Sequence, residues 1–307
     1  MKSTLKAACL VAAIAGAVAL NQGVIRLLLI GLLVATPLEL LVPRRKQRLF
    51  PRGALINLAH ATVTVTISGA IFVAVLGALQ LLPTWPPAGR MIAALPFPLA
   101  FAAVILTGEI GYYWSHRIAH EIPALWRFHR VHHASEEMSW LAAARAHPVD
   151  QVLLQTGALL PLHLLGVSVS SYGLYGVFVI VQNLVVHGNI DLGVGPLRWL
   201  ISTPEFHHWH HAADREAWNK NYAGQLPLLD LIFGSVFLPS GRRVPLNYGL
   251  VEPLTESYPV QLCAPAVDAL RWSRRRFRIR SRSTPGRIRL RRPSQIERKR
   301  EATHSSA

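Results

Sequence analysis

GYYWSHRIAHEIPALWRFHRVHHAS, residues 111–135, decides how this chain is to be read. It leaves an apolar run and turns polar and histidine-rich within a few residues. His116 and His120 stand four apart, and His129, His132 and His133 form an HxxHH box. The same box returns as His207, His210 and His211 inside HHWHH. On a helix, positions i, i+3 and i+4 share a face, so each box is expected to aim two or three imidazoles at one point. Neutral imidazole is the commonest metal ligand and suits iron, zinc and copper. Eight such nitrogens are more than one ion takes, so two neighbouring metal ions are the natural inference. Packed together without metal, eight imidazoles would each need a hydrogen-bonding partner and would repel one another on protonation.

Around these boxes the chain reads as a membrane protein. Of 307 residues, 51% are hydrophobic and only 16% charged, and the mean hydropathy is +0.30, a combination soluble domains seldom show. Residues 7–20 and 24–42 form two apolar runs. A tight helical hairpin accounts for both, although the first also has the look of a secretory signal. Arg44, Arg45, Lys46, Arg48 and Arg52 then mark a cytoplasmic loop by the positive-inside bias. The run from Ala54 to Leu82 is expected to cross outward, LPTWPPAG (82–89) to turn outside, and residues 92–114 to cross back. Trp85 at one end, and Tyr112, Tyr113 and Trp114 at the other, suit the two interfacial belts. The runs 151–167 and 172–186 read as a second hairpin that dips into the membrane and returns. All three boxes then fall on the cytoplasmic face. The expected fold is therefore all-α: a polytopic membrane helical bundle with two hydrophobic hairpins, further spans and a cytoplasmic histidine-rich cap. Residues 1–52 make an N-terminal hairpin and basic loop, 53–255 the membrane-embedded domain that carries the boxes, and 256–307 a basic tail without regular structure.

The net charge of +16 belongs mainly to that tail. Between Arg271 and Arg300 there are 14 Lys or Arg against one acid, Glu297, a net +13 that leaves +3 for the rest of the chain. No nucleic-acid motif accompanies the run, so attraction to anionic headgroups is the reading it supports. Cys9 and Cys263 lie far apart and make neither a CxxC pair nor a disulfide framework.

The boxes HRIAH (116–120), HRVHH (129–133) and HHWHH (207–211) resemble those of the fatty acid hydroxylase / sterol desaturase superfamily. So do LWRFHRVHHAS (125–135), ARAHPVD (144–150), VVHGNIDLG (185–193), STPEFHHWHHAAD (202–214), NKNYAG (219–224) and LLDLIFGS (228–235). The resemblance covers about residues 95–240. It implies a membrane-bound di-iron oxygenase with metal ligands at His116, His120, His129, His132, His133, His207, His210 and His211. His187, brought back by the second hairpin, is a ninth, and His147 either ligates or orients a ligand. The implied chemistry is O2-dependent oxidation of a lipid C–H bond, hydroxylation before desaturation, by two Fe ions for which Zn is a possible substitute. No flavin, nicotinamide or iron–sulfur fingerprint is present, so an external electron donor (a ferredoxin, cytochrome or reductase) is implied.

Other polar residues have weaker claims. Asp150 and Glu205 are candidates to accept a bond from a ligand imidazole, and Asn189 and Asn221 to sit just behind the ligands. Glu109 lies within an apolar helix, seven residues before His116, and an intramembrane carboxylate is a functional candidate by default. His60 and His163 read as hydrogen-bonded structural residues, and His208 falls at a position the box leaves free. A zinc membrane hydrolase is an alternative, disfavoured because no HExxH occurs and a catalytic zinc takes about three protein ligands. A metal transporter should carry its ligands at the bilayer midplane in broken helices, whereas these histidines cluster at helix ends.

Overall fold

The structure, a computed structural model, describes residues 22–48, 50–240 and 244–282; the apolar run 7–20, Cys9, His304 and the tail past Arg282 lie outside the described residues. The chain forms two compact units, Met1–Ala269 and Leu270–Ala307, and every histidine box belongs to the first. Among the described residues there is no strand; two isolated bridges, Pro43 with Ile190 and Ala212 with Tyr248, are the nearest approach to one.

Helix α1 runs over residues 22–41 and is interrupted by a π turn at Gly31–Ala35. The Trp140 ring occupies the place where a Gly31 Cβ would stand, within 2.2 Å, and its Nε1 donates to Thr36 Oγ1 at 2.9 Å. The widened turn thus gives a large side chain room to seat. Helix α2, Ala54–Leu79, carries a second π turn at His60–Thr64. There His60 Nδ1 meets Thr64 Oγ1 and the Ala146 carbonyl while Nε2 meets Gln261 Oε1, the bonded structural histidine the sequence suggested. His163 is likewise engaged, Nε2 reaching the Leu82 carbonyl at 3.3 Å.

The short α3, Pro86–Ala93, begins inside the stretch read as a turn. Helix α4, Phe97–Glu121, extends seven residues past the expected span, so His116 and His120 lie in its last two turns. Next come α5, Pro123–His129; α6, Pro148–Leu164; α7, Val169–His187; α8, Pro204–His210; and α9, Leu228–Ile232. Proline opens α5, α6 and α8, where its missing N–H costs nothing and its fixed φ favours the first turn.

Helix α10, Tyr258–Arg282, corrects the expectation of an irregular stretch from residue 256. Its first turns are anchored by apolar contact: Tyr258 and Leu262 pack on Ile56 and Ala59, and the Tyr258 hydroxyl meets Thr64 Oγ1 at 2.9 Å.

Helices α4 and α6 cross almost backbone to backbone. A Cβ on Gly111 would stand 2.0 Å from the Gly157 carbonyl, and one on Gly157 2.4 Å from the Ser115 hydroxyl. Small residues permit such approach in apolar surroundings, where dispersion must replace hydrophobic driving force. The crossing continues into a core of Val104, Ala158, Leu159, Leu162 and Tyr175. Two helices, Ala54–Leu79 and Phe97–Glu121, are long and apolar enough to cross a membrane, and Gly173–His187 is a shorter apolar segment. Leucines and valines stand exposed along α1, α2 and α7, among them Leu33, Leu41 and Val73 at 68%, 77% and 69%. Exposed apolar area on this scale marks a lipid or partner surface.

Candidate metal centre

Nine histidines converge at one end of the α4–α6–α7 bundle. His116 and His120 come from the end of α4, His129 from the last turn of α5, His132 and His133 from the 3₁₀ turn His132–Ala134, His187 from the end of α7, and His207, His210 and His211 from α8 and its C-cap. They form two groups: His116, His120, His129, His133 and His210 in the first; His132, His187, His207 and His211 in the second. Within each group, one nitrogen per residue lies within 4.8 Å of the others.

The division departs from the expectation that a box points at one place. In HRVHH, His129 and His133 face the first group and His132 the second. In HHWHH the sense is reversed: His207 and His211 face the second group and His210 the first. Consecutive residues on a helix are turned by about 100°, so the adjacent pair at i+3 and i+4 cannot share a target. Each HxxHH box is therefore a wedge between the groups, and the rings of His133 and His211 stack across the divide at 4.4 Å.

The outward nitrogens fix the inward ones. Nδ1 donates to a backbone carbonyl in His116 (Tyr222, 2.6 Å), His132 (Arg145, 3.0 Å), His187 (Asn183, 2.9 Å) and His210 (Lys220, 2.8 Å). In His129 it donates to the Asp150 carboxylate at 3.0 and 3.1 Å. Carbonyls and carboxylates only accept, so each Nδ1 carries the proton and each Nε2 presents a lone pair. Yet His116 Nε2 faces His129 Nε2 at 3.1 Å, and His132 Nε2 faces His187 Nε2 at 3.2 Å. One such pair of opposed lone pairs stands in each group. Burial pulls the His132 imidazole down to about 4, so protonation does not relieve the conflict in the second group near neutrality. A cation between them does. Two nitrogens bound to one ion at about 2.1 Å and at right angles lie about 3 Å apart. His120 Nε2 and His210 Nε2 are buried without a partner, an arrangement that costs free energy unless a ligand takes them. The donor set fits two metal ions.

Asp150 is the predicted residue found directly behind a ligand; at 2% exposure it is buried with His129. The other candidates lie elsewhere. His147 joins neither group: Nδ1 accepts from Val149 N as the N-cap of α6 and Nε2 donates to the Leu262 carbonyl. His208 turns away from both, its Nδ1 meeting the Tyr248 hydroxyl at 3.0 Å. Glu205 stands near the surface, 3.5 Å from Arg198. Asn189 ties the loop after α7 to Arg45, through Oδ1 from Arg45 N and Nδ2 to the Arg45 carbonyl. Asn221 bonds the backbone of Phe206 and Phe237. Glu109 is fully buried, and its Oε1 accepts from Gln225 N at 2.7 Å and Leu226 N at 3.4 Å.

The loop around Asn221 completes the frame. Asn219 and Asn221 adopt φ of 57° and 56°, the left-handed region that Asn tolerates better than most residues. Between and beyond them, Lys220 and Tyr222 turn their carbonyls onto His210 and His116. Asp230 holds this loop by accepting from Tyr222 N and Ala223 N at 2.8 Å and from Ser235 Oγ at 2.6 Å. The Asn-x-Asn pair in NKNYAG is the signal that could have suggested the turn. Trp126 walls the first group, its ring 5.0 Å from His120 and 5.3 Å from His133.

Residues 101–235 match the family model described as fatty acid hydroxylase. The chain is similar to the ornithine lipid hydroxylase of Rhizobium tropici, 32% identical over 55% of this chain and 51% of that protein. It is similar to the human alkylglycerol monooxygenase, 32% identical over 54% of this chain and 36% of that protein. A very-long-chain aldehyde decarbonylase of Oryza sativa is 30% identical over 56% of this chain and 28% of that protein. The matches thus span between about a quarter and a half of the length of these relatives. No solved structure matches. All nine clustered histidines thus lie in the segment that matches the fatty acid hydroxylase family.

Proposed function

We propose that the chain is a membrane di-iron oxygenase that hydroxylates a lipid, with one iron held by each histidine group and the site on the cytoplasmic side of the membrane. The observation that carries this reading is the pair of opposed Nε2 lone pairs, one in each group, at 3.1 and 3.2 Å. Bound there, the two irons would supply the activation of O2 and the attack on an unactivated C–H bond.

The chain's own residues do the rest. The carbonyls of Tyr222, Arg145, Asn183 and Lys220 hold five-membered rings in one tautomer and one orientation, and Asp150 does so with a charge that makes His129 a stronger donor. All of the clustered histidines outside His120 are buried, at 9% exposure or less. This keeps bulk water from the reacting carbon and from a reactive oxidant. The balance is one lipid C–H and one O2, with two electrons and two protons, giving the alcohol and one water. The electrons come from a separate donor protein. Desaturation by the same centre is the second product class. The relatives' names point to polar and ether lipids as the first to test.

Five and four histidines exceed the three ligands of a catalytic zinc, which weighs against a hydrolase. The test is protein purified without added metal, assayed for bound metal and for O2 uptake on addition of a reductant, with lipid extracts of cells with and without the gene. Two irons and reductant-dependent uptake with a new hydroxylated lipid are expected. Stoichiometric zinc with no oxygen chemistry after iron loading refutes the reading.

A further inference from the structure

Behind the second histidine group, where the polar loops meet the end of α1, there is a cleft of about 350 Å³. Arg45, Lys46 and Arg52 line it together with Glu136, Glu137 and Tyr248. None of the three cations lies within 4 Å of either carboxylate as an ion pair. Instead Arg45 lies 5.0 Å over the Tyr248 ring and donates to the Leu246 carbonyl at 3.2 Å, and Glu137 accepts from the Arg52 backbone N–H at 2.7 Å. Both signs of charge are thus held in one small concavity without neutralising each other.

The walls of the cleft are built on the ligand segments. Glu136 follows His133 by three residues. Arg45 is paired through its backbone with Asn189, two residues after His187. The strand-like stretch Asn247–Gly249 bonds the α8 C-cap, Ala213 N to Asn247 O at 2.9 Å and Gly249 N to His211 O at 3.3 Å. Its floor, Tyr248, meets His208, the neighbour of His207. On the other side, the last turn of α1 leads into the cleft with Leu38, Leu40, Leu41 and Val42 exposed. An apolar, exposed helix end that passes directly into paired opposite charges is the profile of a lipid's chain-to-headgroup junction.

We propose that this cleft is a headgroup subsite for a zwitterionic lipid. The anionic group, carboxylate or phosphate, lies against Arg45, Lys46 and Arg52, and the ammonium lies against Glu136 and Glu137, with the chains along the end of α1. The volume falls at the small end of ligand sites, whereas an electron-donor protein docks across a broad surface of up to roughly 1,200 Å² and would not enter such a concavity. A purely anionic headgroup would leave the two carboxylates opposed to it. The proposal rests on the reading of the chain as a lipid oxygenase, because it assigns the cleft to that enzyme's substrate.

The test uses the full chain, delipidated in detergent, and native mass spectrometry of lipid retained from equal mixtures of dioleoyl phosphatidylethanolamine, dioleoyl phosphatidylglycerol and dioleoylglycerol. The zwitterionic lipid is expected to be retained about tenfold over the other two, about 1.4 kcal/mol. Arg52→Glu is expected to abolish the preference, and Glu136→Lys to shift it toward phosphatidylglycerol. Both side chains are exposed, so melting temperature and bound metal are expected to stay at the parent values. Should either variant fail to fold, Lys46→Met carries the same expectation of a lost preference. Equal retention of all three lipids, or a preference untouched by the substitutions, overturns the proposal. So does displacement by millimolar free phosphoethanolamine, which would make the ligand a soluble zwitterion. Unchanged lipid retention with a slower reduction of the metal centre by a soluble donor also overturns it and assigns the face to that donor. Retention that follows the charges in a protein without oxygenase activity would leave the subsite standing while the oxygenase reading fails.

Discussion

Replacing Asp150 separates the two histidine groups experimentally. The Asp150 carboxylate receives His129 Nδ1 at 3.0 and 3.1 Å in a fully buried setting, while no ligand of the second group touches it. In Asp150→Ala the Nδ1–H has no acceptor, at a cost of about 1–3 kcal/mol, and His129 is free to rotate. Loss of such an orienting partner weakens metal binding by about 10- to 100-fold. In Asp150→Asn the amide oxygen still accepts, so tautomer and orientation survive and only the charge is lost; a loss near tenfold, the low end of that range, is expected. The assay is equilibrium dialysis of iron-loaded protein against graded chelator, with metal counted by mass spectrometry. One of the two ions is expected to leave at lower chelator concentration, in the order Ala before Asn before the parent, while the second leaves at the parent concentration. Simultaneous loss of both ions, or no change in either, refutes the assignment of Asp150 to one group.

Four further outcomes follow from the same geometry. His147→Ala removes an N-cap, so it should lower stability by about 1 kcal/mol and leave both ions bound; loss of an ion would make His147 a ligand after all. Gly111→Ala drives a methyl into the Gly157 carbonyl at the α4–α6 crossing, so thermal unfolding should show a loss of about 1–3 kcal/mol or more. Asn221→Ala gives up a tolerated left-handed φ and three backbone hydrogen bonds, so it should destabilise the protein and weaken metal in the first group. For pH, burial holds His132 near 4 and His208 near 3 in the fold, below the unfolded value near 6.5. The unfolded chain therefore binds more protons between those limits. Stability of the metal-free protein should be full above pH 6.5 and fall steadily as pH drops toward 4, by about 3 kcal/mol from His132 alone; a flat profile over that window would contradict the buried neutral state.

The spacing of HRIAH, HRVHH and HHWHH carried eight of the nine clustered histidines, and the hairpin argument brought in the ninth, His187, because ligand side chains are written directly in the sequence. The division of each HxxHH box between two groups was not legible. It depends on the 3₁₀ turn that follows α5 and on how far α8 is rotated, which tertiary packing sets. The backbone carbonyls of Tyr222, Arg145, Asn183 and Lys220 were invisible for a simpler reason: every residue has one. The bonds of Asn221 and His147 were not legible either, because their side chains serve the backbone, one closing a loop and the other capping α6. The exposed apolar runs gave the helices themselves, though α4 continues past the expected boundary because the HxxxH box is part of the same helix. The start of α10 was missed because the basic run beyond it dominates the composition.

The central claim, that the two histidine groups each hold an iron, is tested most directly by anomalous X-ray diffraction above the iron absorption edge from crystals of the iron-loaded chain. Two anomalous peaks are expected, one enclosed by His116, His120, His129, His133 and His210 and one by His132, His187, His207 and His211. A single peak, or peaks away from these nitrogens, would contradict the account.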